Sequence, residues 1–75
     1  MWVKYLNLGK NSGIIKYQIN FESIDIMFKN GDIHTYPEYK IGRNHLETMF
    51  ALAKQGRGLH AYIMRNPDVK TGFVR

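Results

Sequence analysis

The chain has 75 residues, no cysteine and a formal net charge of +5 at pH 7. A chain of this length forms one small domain with little room for a deep, enclosed active site, and residues 1–75 are predicted to be that single domain. The lack of cysteine excludes disulfides and thiolate metal sites. Residues 1–10 lack the apolar run of a signal peptide, and no segment approaches the length of a membrane span, so we expect a cytoplasmic protein.

The positive charge is concentrated in the second half of the sequence. Residues 1–39 carry four lysines and four acidic residues, whereas residues 40–75 carry seven lysines and arginines and two acidic residues. Such a one-sided basic excess is typical of a surface for an anionic partner. A basic surface that serves only solubility gives the same pattern.

Strands dominate the first half of the chain. Residues 2–8 alternate imperfectly, which indicates an edge strand or a packed arm, and residues 9–13 are typical of a polar turn. The next segment predicts a strand whose buried face is formed by alternating apolar residues: Ile15, Tyr17, Ile19 and Phe21.

A hairpin is predicted over residues 24–36. Its first strand alternates strictly and buries one apolar face: Ile24, Ile26 and Phe28. Asn30-Gly31 then reverses the chain, because both residues tolerate the positive φ of a tight turn.

Two turn geometries fit this hairpin and differ in what faces the core. A two-residue type I′ turn places Met27 opposite His34, and leaves His34 and Tyr36 on the wetter face. A type I turn with a glycine bulge pairs Ile26 with His34 and buries both His34 and Tyr36, since the side-chain period of a strand is two.

Helices are predicted after Pro37, which ends the third strand. Asn44 is the expected N-cap of an amphipathic helix, Glu47 the partner in a capping box, and Gly56 the C-cap. The apolar stripe of this helix has the spacing i, i+3, i+4 and i+7: Leu46, Met49, Phe50 and Ala53.

A short second helix is predicted from the spacing of Leu59, Tyr62 and Ile63, and Asn66-Pro67 ends it. Residues 68–75 are expected to form a short terminal strand or to be frayed. The predicted class is therefore α+β: a three- to four-stranded antiparallel β-meander packed against one amphipathic helix, with a short second helix.

Residues 12–63 contain three groups of residues in a characteristic order and spacing: Ser12, Ile14 and Tyr17; the hairpin of Ile24, Ile26, Phe28 and Asn30-Gly31; and Ala53-Lys54-Gln55-Gly56. This arrangement resembles the KTSC domain, a short module found alone in bacteria and at the C-terminus of some lysyl-tRNA synthetases. The central Tyr-x-Tyr of that family falls on His34-Thr35-Tyr36, so only its second tyrosine is present. The resemblance implies the fold described above and the RNA binding that has been proposed for the family.

A surface for single-stranded nucleic acid needs cations for the phosphates and planar side chains on which bases stack. The candidate residues of such a surface are Lys40, Arg43, Lys54, Arg57, Arg65, His34, Tyr36, His60 and Tyr62. The glycine-rich turn over residues 55–58 would also let backbone amides approach a phosphate. We therefore expect a small non-enzymatic module that binds RNA or single-stranded nucleic acid, although each aromatic residue also fits a place in the core.

Two rival functions are weighed against this one. A protein partner, or a second copy of the chain, would use an exposed strand edge or sheet face, with Met27 as the marker. Catalysis is disfavoured because His34, His45 and His60 are far apart in sequence and no nucleophile elbow or helical zinc spacing occurs. No enzymatic activity, cofactor or metal is therefore expected.

Overall fold

The computed structural model describes residues 1–10 and 12–74. Asn11, in the predicted polar turn, and Arg75, in the predicted tail, lie outside these ranges. The described residues form, in chain order, β1 (Val3–Lys4), β2 (Ile14–Ile19), β3 (Ser23–Phe28), β4 (Ile33–Pro37), α1 (Glu38–Ile41), α2 (Arg43–Gln55), α3 (Leu59–Arg65) and α4 (Pro67–Lys70). The strands form one antiparallel sheet in the order β1-β2-β3-β4, so the predicted α+β class and meander are confirmed.

The core lies between the helices and one face of the sheet. Its buried side chains come from the sheet, from the helices and from the segment after β1: Tyr5, Ile14, Tyr17, Ile24, Ile26, Tyr36, Ile41, Leu46, Met49, Ala53, Leu59, Ile63 and Val69. The opposite face of the sheet carries a polar row in which Thr35 Oγ1 donates to Asp25 Oδ1 at 2.6 Å and Gln18 Nε2 donates to Asp25 Oδ2 at 3.0 Å. The helical layer therefore packs on the face that alternation in β3 predicts to be buried.

The hairpin between β3 and β4 adopts the bulged register. Phe28 N–H donates to Asp32 O at 2.9 Å, and Gly31 N–H donates to Phe28 O at 2.9 Å. Gly31 has φ of 91°, and Ile26 pairs with His34. Of the two turn geometries left open by the sequence, the type I turn with a glycine bulge is the observed one, and it turns His34 towards the helices.

The prediction for β2 is wrong at two positions. The ladder with β3 is irregular between Ile14 and Lys16, so Ile14 is buried and Ile15 is 41% exposed. Phe21 lies beyond the end of β2, in the turn to β3, and is 82% exposed. Tyr17 is buried as predicted. A bulge changes which residues face the core, and simple alternation does not reveal it.

The predicted start of α2 is also wrong. The helix begins at Arg43 with Gly42 as its N-cap, and no side chain caps it, so Asn44 lies inside the first turn. Glu47 bonds Arg43 instead of completing a capping box. Gly56 is confirmed as the C-cap, with φ of 82° and its N–H donated to carbonyls of the last helical turn.

Two four-residue helices, α1 and α4, were not predicted. α4 begins directly after α3, with Pro67 at its first position, where the missing N–H of proline is harmless. The segment after α4 is neither a strand nor frayed. Instead, Val74 N–H donates to Thr35 O at 2.9 Å, which ties this segment to the edge of β4.

Residues 5–8 form a packed arm that continues the two-residue strand β1. The Tyr5 hydroxyl accepts from Leu59 N–H at 3.3 Å, and Leu8 N–H donates to Gly56 O at 2.7 Å. A Cβ on Gly56 would lie 2.7 Å from Leu6 Cβ, so only glycine allows this approach. The arm therefore fixes the turn between α2 and α3 against the sheet.

The bulge at Gly31 gives a testable prediction for stability. Gly31→Ala is expected to lower the free energy of unfolding by about 1–2 kcal/mol, because an L side chain is strained at this φ. No atom lies within 4 Å of the added Cβ, so the cost comes from the backbone alone. Urea unfolding followed by circular dichroism measures the change.

Gly13→Ala is the matched control, since its added Cβ also meets nothing within 4 Å and its φ is not in the positive range. We expect Gly13→Ala to be neutral or slightly stabilising. Equal effects of the two substitutions would contradict the bulged register.

Candidate nucleic-acid interface

A cavity of about 210 Å³ opens between the β3–β4 hairpin, α3 and the segment that follows α4. Three sequence-predicted site residues line it: His34, Tyr36 and His60. Met64, Lys70 and Phe73 line it as well. The fold thus brings part of the predicted site together with side chains that the sequence did not single out.

Aromatic rings stack along one side of this cavity. The rings of His34 and Phe73 are parallel within 4°, with centroids 3.9 Å apart. Phe28 meets His34 at 4.9 Å with a tilt of 54°. All three rings line the cavity, and one face of Phe73 is covered by His34.

Tyr36 lies inside the fold and offers no ring face to a stacking base. It is only 1% exposed, because the bulged register points it at the helices. Burial raises the pKa of Tyr36 to about 12, so the hydroxyl stays protonated across the physiological range. Its oxygen lies 3.4 Å from His34 Nδ1, so its contribution is to position the histidine.

Tyr62 connects two helices and does not line the cavity. Its hydroxyl oxygen is 2.5 Å from His45 Nδ1 on α2, and the two rings meet edge to face. Asn66 Nδ2 also donates to the backbone oxygen of Tyr62 at 2.7 Å. The half-buried Tyr62 ring therefore serves the packing of α3 on α2, the core role that the sequence left open for it.

Arg43 is engaged by acidic side chains. Its Nη1 donates to Glu38 Oε1 at 2.9 Å and to Phe21 O at 3.0 Å, and its Nε donates to Glu47 Oε2 at 3.0 Å. The hydrogen bonds to Glu38 and then to Glu47 raise the pKa of Arg43 above its ordinary value. Among the predicted cations, Arg43 is thus the one whose charge is already compensated.

The other predicted cations are exposed and carry no such compensation. Within residues 1–10 and 12–74, salt bridges involve Arg43 only, so four predicted cations have no carboxylate partner there: Lys40, Lys54, Arg57 and Arg65. Lys70 also has no carboxylate partner among the described residues. It belongs to the basic excess of residues 40–75 but was not among the predicted site residues.

α3 organises the cations nearest the cavity. His60 and Met64 are four positions apart, so they share the face of α3 that borders the cavity. Arg57 precedes the first turn of α3 and Arg65 is its last residue, and a helix of 7 residues spans roughly 10 Å. Positively charged side chains therefore lie at both ends of α3, and Lys70, the last residue of α4, lies at the cavity itself.

The glycine turn between α2 and α3 has less to offer a phosphate than the sequence suggested. The N–H of Gly56 is donated to the last carbonyls of α2, and its carbonyl accepts from Leu8. The amide of this buried glycine is therefore already satisfied within the protein.

The structure adds Lys70 and Phe73 to the candidate site. Both lie in the segment that the sequence predicted to be a terminal strand or frayed, and no local pattern links them to the hairpin. The only available signals were the basic excess and the single aromatic side chain of the tail.

Other site types find no match in the part of the chain that the structure describes. It contains no group of three or more histidine, aspartate or glutamate side chains placed to hold a metal ion. None of its helices combines the length and the apolar character needed to cross a membrane. Comparison with protein-family models, with curated proteins and with solved structures finds no match to this chain.

The buried hydroxyl of Tyr36 gives a prediction for alkaline pH. The folded pKa of about 12 exceeds the ordinary value of 10.0, so the unfolded chain releases this proton first. The contribution of the protonated hydroxyl is fully present below pH 10 and is lost as pH rises towards 12, by about 2–3 kcal/mol in total.

The measurement is the free energy of unfolding in urea for the wild type, Tyr36→Phe and the exposed control Tyr39→Phe. The advantage of the wild type over Tyr36→Phe should shrink between pH 10 and pH 12, and Tyr39→Phe should follow the wild type. Parallel curves for all three proteins would contradict the assignment to Tyr36.

Proposed function

We propose that this chain is a small non-enzymatic binding module for RNA or other single-stranded nucleic acid, and that α3 with residues 70–73 forms its contact surface. The observation that carries the proposal is an exposed cation, Lys70, in the lining of a cavity that also holds aromatic rings. Two further exposed cations without acidic partners, Arg57 and Arg65, lie before and at the end of α3, whose residues line the same cavity. Cations for phosphates and planar groups for bases are the two requirements of single-strand binding.

The wider setting belongs to the same proposal. The order and spacing of residues 12–63 support a place in the KTSC domain family, and a bacterial, cytoplasmic protein is the setting that this resemblance favours. The departure at His34, where the family has tyrosine, falls in the ring stack against Phe73, so this chain fills the first aromatic position with an imidazole.

Salt dependence tests the electrostatic part of the proposal. Each phosphate neutralised on a single strand contributes roughly −0.7 to the slope of log affinity against log salt, so three cations give a slope near −2. Fluorescence anisotropy with a labelled oligouridylate of about eight nucleotides measures this slope. Absence of binding at about 50 mM salt, or affinity independent of salt, would remove the proposal.

Substitution of the uncompensated cations should weaken binding. We expect Arg57→Gln, Arg65→Gln and Lys70→Gln each to reduce the magnitude of the slope by about 0.7, because each removes one phosphate contact. Arg43→Gln is the matched control, since Arg43 is held by Glu38 and Glu47, and it should leave the slope unchanged. If Arg43→Gln changed the slope as much as the other substitutions, binding would depend on the total charge of the protein and not on the α3 surface.

A protein partner is the second candidate, and one observation favours it. Phe21 and Tyr39 are 82% and 81% exposed, and the Arg43 guanidinium lies 5.9 Å from the centre of the Phe21 ring. Exposed aromatic side chains beside an arginine are the residue types that dominate protein–protein contacts. We call Phe21, Arg43 and Tyr39 the aromatic corner, since Tyr39 follows directly after Glu38, which Arg43 bonds. This corner suits a partner better than a sheet edge does.

The sheet edges and the open sheet face support partner binding less well. β1 is only two residues long, and Val74 already donates to Thr35 on the outer side of β4. Met27, the marker proposed for the open face, is half-buried. Strand addition, by a partner or by a second copy of the chain, would therefore find little unpaired backbone within the described residues.

A nucleic-acid partner and a protein partner differ in whether their binding needs the aromatic corner. Glu22, Glu38 and Glu47 lie close to it in the sequence or in contact with Arg43, so a phosphate backbone gains little there. The double variant Phe21→Ser with Tyr39→Ser is therefore expected to bind the oligouridylate with wild-type affinity in the anisotropy assay. A loss of affinity of about tenfold or more would assign the binding surface to the corner and not to α3.

A further inference from the structure

The cavity beside α3 has the size of a site for one planar ring. An apolar cavity of about 150 Å³ is enough to hold benzene, and the cavity here is about 210 Å³. The cavity is therefore large enough for a single substituted ring. Phe73 offers a ring surface on one side, and Met64 and Ile63 offer apolar contacts on the side of α3.

Polar groups at this cavity give the ring a preferred chemistry. The cavity is lined by one side chain that carries an ammonium, Lys70, and by two that carry an imidazole, His60 and His34. An unsubstituted hydrocarbon would leave these groups without partners, whereas a ring with polar edge atoms and an attached anion would satisfy them. The chemistry is that of a nucleobase joined through its sugar to a phosphate.

The cations on α3 favour a strand over an isolated small anion. Arg57 and Arg65 lie before and after the three residues of α3 that border the cavity: His60, Ile63 and Met64. A small ligand with a single carboxylate would pair with one of these cations and leave the others without an anionic partner. A chain of phosphates passing along α3 uses them in succession while one of its bases turns into the cavity.

We propose that this cavity binds the base of one nucleotide of a single strand, with its phosphate at Lys70. The base lies against Phe73 and the apolar side of α3, and His60 and His34 border its polar edge. This inference rests on the proposed function, because the strand that supplies the base is held by the cations of α3.

The test compares oligomers that carry equal charge with and without bases. The wild type is titrated with oligothymidylate of about eight residues and with an abasic tetrahydrofuran oligomer of the same length, in about 50 mM salt. One stacked base contributes roughly a tenfold increase in affinity, so the oligothymidylate should bind about tenfold more tightly than the abasic oligomer.

Filling the cavity separates this base site from general charge attraction. Met64 is half-exposed on the rim, so Met64→Trp should block the cavity without disturbing the core, and should reduce the tenfold preference to near unity while abasic binding is retained. Ala51→Trp, on the exposed face of α2, is the matched control and should keep the preference. A preference that survives Met64→Trp would place the base elsewhere and overturn the inference.

A second measurement needs no variant. Titration of the wild type with thymidine monophosphate, followed by amide chemical shifts, should move the signals of His60, Met64, Lys70 and Phe73 and leave those of the aromatic corner unchanged. Shifts confined to other residues, or no shifts at saturating nucleotide, would overturn the base site. Equal binding of the two oligomers would do the same while leaving the proposed function intact, and failure of both oligomers to bind would remove the two proposals together.

Discussion

One extra residue in the β3–β4 turn determines which side of β4 faces the helices. Gly31, with φ of 91°, allows the bulge that pairs Ile26 with His34 and Ile24 with Tyr36. Since side chains alternate along a strand, the same bulge leaves Thr35 on the open face, next to Asp25. Without the bulge, the side chains of His34 and Tyr36 would face solvent. The segment after α4 would then lose the side chains of β4 on which it packs.

The candidate site is built on the side chains that β4 points towards the helices. His34 supports Phe73 by parallel stacking, and Val74 is tied to β4 by a backbone hydrogen bond, so residues 73–74 are held although they form no regular element. Lys70 precedes them on α4, which α3 in turn supports through core residues such as Ile63 and Val69. The polar and aromatic lining of the cavity thus depends on three elements that are distant in sequence and are brought together by one register.

The sequence predicts well the elements that rest on short-range patterns. Alternation in β3 and the i, i+3, i+4 stripe of α2 both lead to buried side chains, with Ile24, Ile26, Leu46 and Met49 fully inside. Asn30-Gly31 predicts a reversal but fits two registers, because both turn types accept these residues. The register is decided by packing of the helices on β4, which no local window contains.

Other features escaped prediction for physical reasons that differ from one to the next. Asn44 looks like an N-cap, but α1 already turns the chain at Gly42, and α2 starts two residues earlier than the cap would allow. α1 and α4 have four residues each, too few for a periodic pattern to appear. Lys70 and Phe73 reach the cavity only through tertiary packing, so the sequence named most of the exposed cations but not the cavity.

The arm formed by residues 5–8 has a consequence for the order in which the molecule assembles. Tyr5 and Leu59 are 54 positions apart, so their contact closes a long loop and must overcome its entropy before it stabilises anything. The β3–β4 hairpin and α2 close much shorter loops and can form earlier. Anchoring of the α2–α3 turn is therefore a late event, and the cavity beside α3 exists only in the fully folded chain.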